Sequence, residues 1–214
     1  MCYDSNMSLG ALITNIITCF ILIYFSYKVN NLQIRAVSYF LLFVGVMQLW
    51  DYIFWNYGPD TTINQCTTKV AMIWNNLEPV ILGLVIIFVM RQKLDTFSTI
   101  VFSIYTFFSI IYSFYLFNKL KGTQATDKTK GSLYWEWTDM PFQICFYSFF
   151  LFTMIVLGFN FTGWIRSFFI VTTMITFLFS MYKYGITKST GRFWCYFASF
   201  APIIFIFGFL MNHQ

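Results

Sequence analysis

Residues Phe97–Phe117 read FSTIVFSIYTFFSIIYSFYLF, 21 residues without one charged side chain. As an α-helix rising ~1.5 Å per residue, this run is about 31 Å long, the thickness of a bilayer's hydrocarbon core. A membrane-crossing strand needs only about 10 residues and alternates apolar with polar, so a continuous run of this length reads as a spanning helix. Six further runs share its character: roughly Ser8–Tyr27, Arg35–Trp55 and Thr67–Met90 before it, and Pro141–Phe159, Gly163–Tyr182 and Arg192–Met211 after it. The expectation is an all-α integral membrane bundle of seven transmembrane helices, one domain over residues 1–214. Short linkers would pack neighbours antiparallel. The first apolar stretch, Leu9–Phe25, has no basic n-region and no small-x-small cleavage site, and is read as the first span rather than a signal peptide.

Composition agrees. Only 10% of the residues are charged and 58% are hydrophobic, against about 25% charged in a soluble domain. So little charge cannot coat a water-facing surface, and the expected partner is the lipid bilayer. The net charge of +5 comes from basic residues scattered singly, with no run of them. That pattern sets membrane orientation and points to no nucleic-acid partner.

An odd number of crossings puts the termini on opposite sides. On the side holding Met1, here the N-face, fall seven of the eight acids: Asp4, Asp51, Asp60, Glu78, Asp127, Glu136 and Asp139. Six of the seven tryptophans join them (Trp50, Trp55, Trp74, Trp135, Trp137, Trp194), with Cys2, Cys66, Cys145 and Cys195. Aromatic belts ordinarily occur at both interfaces, so the one-sidedness asks for a further cause. Eight Lys and Arg lie on the N-face against five opposite, a count that leans towards a cytoplasmic N-face. The sequons Asn6-Met7-Ser8 and Asn160-Phe161-Thr162 lie on opposite faces and decide nothing.

Glu78 is the most informative residue. It falls about 16 Å into the third run, at hydrocarbon depth. An ionisable group there is costly and marks a functional site by default. Pro79 follows, removing a backbone donor and freeing the carbonyl of Asn75, and Asn75 shares a helical face with Glu78. The bland alternative is a neutral Glu78 hydrogen-bonded between helices as packing. In the second run Gln48, Asp51, Tyr52 and Trp55 form one stripe, with Asp51 close enough to the interface to be solvated or paired with Lys69. The fifth run opens Trp135-Glu136-Trp137-Thr138-Asp139-Met140-Pro141, where Asp139 is either a site acid or the N-cap of the helix. Gln143 and Tyr147 continue its face inward. The last run opens on Trp194-Cys195. Thiolate and carboxylate from Cys2, Cys195 and Glu78 would suit zinc or another divalent ion. The alternatives are a disulfide among Cys2, Cys66 and Cys195, or plain buried thiols.

Known seven-helix classes do not fit. A retinal protein needs a lysine deep in the last helix, and Lys183 and Lys188 lie outside it, so retinal is not expected. The histidine-rich membrane zinc hydrolases are excluded by the single histidine, His213. A G-protein-coupled receptor would show an acidic-Arg-Tyr motif where this chain has Met90-Arg91-Gln92. The Met1-Cys2-Tyr3 start, the Gln48–Asp51 segment, Glu78-Pro79, the Trp135–Pro141 block and Trp194-Cys195 together resemble a family of multi-helix membrane proteins of bacteria and of large viruses of algae and protists. Its members begin Met-Cys-Trp, carry a Trp-x-x-Trp-Asp-x-Pro-like block before the fifth helix and a Trp-Cys before the last. This chain departs at Tyr3, in an acid where the block has histidine, and in a cysteine-free fourth-to-fifth linker. The resemblance implies seven helices and an outward N-face, and no activity.

Three functions follow as expectations. One is a pocket opening on the N-face that binds a metal ion or small ligand, or forms a membrane-embedded enzyme. There Glu78 and Asp139 would be the catalytic acids, Gln48, Asp51, Asn75, Trp135, Glu136 and Trp194 the ligand-binding residues, and Cys2, Cys195 and Glu78 the metal ligands. The second is a proton or cation channel or transporter gated at Glu78. The third is a scaffold without chemistry.

Overall fold

A computed structural model describes residues 4–120, 125–127, 132–184 and 190–212, without the side chains of 125–127, 132, 134, 139, 181, 183, 184 and 190–193. The described chain is helical but for one short hairpin and its loops. Nine helices run α1 (Ser5–Lys28), α2 (Leu32–Gly45), α3 (Met47–Asn56), α4 (Thr62–Asn76), α5 (Glu78–Phe88), α6 (Thr96–Lys119), α7 (Gln143–Gly158), α8 (Gly163–Tyr184) and α9 (Thr190–Asn212). Between α6 and α7 lie β1 (Ala125–Asp127) and β2 (Ser132–Tyr134), paired antiparallel with Thr126 opposite Leu133, then a 3₁₀ turn over Glu136–Asp139.

Local chemistry explains where the helices start. Asp4, Asn31, Thr61 and Asp95 each accept a hydrogen bond from a backbone N–H of the first turn that follows, satisfying donors a helix start leaves open. Helix α7 differs. Its N-cap is Phe142, in the left-handed region at φ 67° and making no side-chain cap bond. The N-cap position therefore falls three residues beyond Asp139, whose side chain lies outside the described residues. Asp139 ends the 3₁₀ turn before the helix, because Pro141 and the left-handed Phe142 delay the helix until Gln143.

Two of the seven predicted runs are interrupted. The second turns at Val46 between α2 and α3. The third bends by 50° between α4 and α5, where Pro79 withholds the N–H that would continue the ladder. Among the described residues five helices are long and apolar enough to cross a membrane, or six if the bent α4–α5 pair is one span. The fifth predicted run yields only α7, apolar but 16 residues long and below that length.

Helix α1 packs on α2, α3 and α9, α8 on α9, and α5 on α2, α6 and α7. The core joins Phe40, Phe54, Phe150, Phe161 and Phe205 with Tyr105, Trp135 and Trp137. The outer faces are equally apolar: Ile17 and Phe20 on α1 and Phe107, Ile110 and Phe114 on α6 are each more than half exposed. An apolar exterior on helices this long suits a multi-pass membrane protein.

Candidate functional site

The bend places Glu78 at the first position of α5, with Asn75 in the last turn of α4. Both are fully buried, as is Cys195. Asn75 Nδ2 donates to Glu78 Oε1 at 3.4 Å and approaches Cys195 Sγ at 3.9 Å. The Cys195 thiol faces the same Glu78 oxygen at 3.8 Å. Tyr147 Oη donates to Asn75 Oδ1 at 2.9 Å, fixing the amide so that its NH₂ faces the acid and the thiol. Four elements thus meet at one point. Glu78 Oε2 has no hydrogen-bond partner although fully enclosed. An oxygen in that state retains its affinity for a proton, a cation or a bound water.

The break itself is secured from α6. Tyr105 Oη and Ser109 Oγ both donate to the Asn76 carbonyl at 2.9 Å, and Asn76 Nδ2 donates to Ser113 Oγ at 3.0 Å. A carbonyl at the end of α4, left open by the break, has found two hydroxyl donors on the next helix, as exposed backbone in an apolar bundle requires.

A second group lies around Asp51, which is 2% exposed. Its Oδ1 accepts from Trp135 Nε1 at 3.0 Å. It is neither solvated nor placed by Lys69, whose ammonium instead sits 4.7 Å from the Phe117 ring centre. Trp135 and Trp137 stack at 4.9 Å, and both are essentially fully buried. The Thr138 hydroxyl closes the turn onto the Trp135 carbonyl at 2.6 Å. Paired interface anchors would leave their rings at the surface. Here the 3₁₀ turn drives both indoles into the bundle, and Trp137 lies beside the Tyr147 hydroxyl.

Of the expected site residues, the structure brings Asn75, Glu78 and Cys195 together. It sets Asp51 with Trp135, and buries Gln48 one turn earlier on α3. Glu136 is half-buried in the 3₁₀ turn. Trp194 is buried edge-on to Phe150 at 5.2 Å and lines a narrow cavity of about 20 Å³ between α2, α8 and α9. Cys2 and the Asp139 side chain lie outside the described residues. No disulfide joins Cys66 to Cys195, and Cys66 and Cys145 are exposed. Among the described residues no group of three or more His, Cys, Asp or Glu is gathered closely enough to hold a metal ion.

Tyr147 and Trp137 belong to the centre although neither was among the expected site residues. The signal for Tyr147 was its position one turn beyond Gln143 on the face that leads inward. For Trp137 a 3₁₀ turn had to be foreseen. A comparison with known proteins finds no matching family model, curated protein or solved structure.

Proposed function

We propose that this chain is a seven-span membrane protein that binds a cation, the proton included, at Glu78 and moves it across or into the membrane. The observation that carries this reading is the enclosed Glu78 carboxyl at a 50° break in its span. One of its oxygens is held by Asn75 and Cys195 and the other has no partner. Broken spans with ionisable groups at the break are how transporters expose helix ends and free backbone to an ion. The start of α5 lies at the acid, where the helix dipole favours negative charge. Helix α7, about 24 Å long at ~1.5 Å per residue, would be the seventh and shortest span. The N-face is taken as outward, following the family resemblance rather than the basic-residue count.

The test is ion flux into proteoliposomes driven by a gradient of protons, sodium or potassium, comparing wild type with Glu78→Gln. Glutamine keeps the size and loses the ionisable oxygen. Flux of one of these ions that falls at least about tenfold, ~1.4 kcal/mol on the barrier, is expected. Equal flux in both proteins, or none for any of the three ions, rejects the reading.

A second reading, a divalent-metal site, draws on one observation. The 3.8 Å between Cys195 Sγ and Glu78 Oε1 is close to the ~3.5 Å that two tetrahedral zinc ligands at ~2.3 and ~2.0 Å subtend. Metal analysis of the purified protein against Cys195→Ala and Glu78→Gln tests it, and a metal-free wild type discards it.

A further inference from the structure

Among the described residues, the buried polar atoms named next have no hydrogen-bond partner and are unevenly placed. Glu78 Oε2, Gln143 Nε2, Trp137 Nε1, Trp50 Nε1 and Trp55 Nε1 all belong to the N-face half. In the other half the buried polar side chains named next are satisfied. Ser38 donates to the Ile34 carbonyl and Thr153 to that of Phe149, and at mid-depth Asn15 donates to two carbonyls. Thr106 and Thr176 likewise turn back onto their own helices. Beyond Glu78 on α5 come Leu82 and Ile86, both 0% exposed, and beyond Tyr147 on α7 come Phe150 and Met154, at 1% and 0%. Along α5 and α7 the way from Glu78 to that half is closed by packing.

Tyr147, Gln143 and Trp137 are ordered by the geometry. Tyr147 reaches Asn75 and through it Glu78. Gln143, 6% exposed, stands one helical turn nearer the N-face on the side of α7 that carries Tyr147. Trp137 lies beside the Tyr147 hydroxyl, stacked under Trp135, which Asp51 holds by its indole N–H. Buried polar atoms in such a row are the partners that ordered water requires, two to four for each molecule.

We infer that Glu78 exchanges its cation with the N-face alone, through a bound-water path along Tyr147, Gln143 and Trp137, and that the Trp135–Trp137 pair is the gate of that path, latched by Asp51. This rests on the cation-binding reading of Glu78. It adds the side of entry, the residues that form the way in and the element that shuts it.

Cys195, 3.8 Å from Glu78, is a built-in reporter. In full-length protein reconstituted in one orientation, with Cys195 as the sole cysteine, its modification by the membrane-impermeant cation trimethylammonioethyl methanethiosulfonate is timed from each side. The thiolate attacks the reagent's sulfenyl sulfur, forming a mixed disulfide and releasing methanesulfinate. Trp137→Ala is expected to speed modification from the N-face at least about tenfold and to leave the opposite side unreactive. Gln143→Leu, which replaces the path's amide with methyls, should slow it again in the Trp137→Ala background. Asp51→Ala should reproduce part of the acceleration with both indoles intact, which keeps the test decisive if Trp137→Ala fails to fold. Modification from the opposite face, or a rate indifferent to Trp137 and Asp51, overturns the inference. The two proposals fail separately. N-face labelling without Glu78-dependent flux leaves the path and removes the transport reading. Flux with labelling from the opposite face does the reverse.

Discussion

Gly45→Ala should destabilise the protein by about 3 kcal/mol, and the reason lies on another helix. A Cβ at Gly45 would stand 2.1 Å from Asn15 Oδ1, 2.3 Å from its Cγ and 2.9 Å from its Nδ2. The whole amide must leave. With it go two bonds of 3.2 Å that tie α1 to the Leu41 carbonyl of α2 and the Ser199 carbonyl of α9. Interhelical hydrogen bonds in membrane bundles contribute on the order of 0.6–1.7 kcal/mol each, so their loss costs ~2 kcal/mol. Overpacking adds roughly 2 kcal/mol, and the better helix propensity of alanine returns at most ~1 kcal/mol. The assay is reversible unfolding in mixed micelles with rising SDS, followed by circular dichroism. Gly10→Ala, where a Cβ would meet nothing within 4 Å, is the control and should be neutral or slightly stabilising. The decisive arm is Asn15→Ala combined with Gly45→Ala. Once the amide is gone the clash is gone, so the double variant should resemble Asn15→Ala alone, with a coupling of about 3 kcal/mol. A Gly45→Ala protein within ~0.5 kcal/mol of wild type, or additive losses in the double, would show that α1 does not pass over Gly45 as described.

Two further outcomes are expected. Trp135→Phe keeps the ring stack and removes the donor to Asp51, which should cost ~1–3 kcal/mol in the same unfolding assay. Asp51→Asn retains an acceptor there and should cost less, and equal losses in the two variants would contradict the hydrogen bond. At the start of α6, the Ser98 hydroxyl and then its backbone N–H hold the Asp95 carboxyl below the usual carboxylate range. A depressed folded value means that the cap's contribution is complete above about pH 4 and is lost as pH falls through the lowered value. The Ser98 amide resonance should report that acid transition in wild type, and the same titration persisting in Asp95→Asn would refute it.

How much of this was legible beforehand differs by level. Runs such as Phe97–Phe117 announce apolar helices because a helix in lipid satisfies its own backbone and needs only length and hydrophobicity, both local properties. Glu78-Pro79 announced a missing backbone bond for a similarly local reason, since proline lacks a donor wherever it stands, but the run reads as one helix and the 50° break was not legible in it. The closeness of Asn75 to Glu78 followed from helical spacing. What lay outside the reach of one-dimensional reading was every meeting between distant segments. Cys195 reaches Glu78, Tyr147 grips Asn75 and Trp135 binds Asp51 across separations of 72 to 117 residues, and Asn15 presses on Gly45 from another helix. Helix faces of nearly uniform apolarity carry little information about which side turns inward, so packing alone chose the partners. The tryptophans make the point most plainly. Their clustering at one end was visible in the sequence, but only the 3₁₀ turn after β2, by turning the rings of Trp135 and Trp137 inward, decided that these two pack beside Asp51 and Tyr147 rather than anchor the membrane surface.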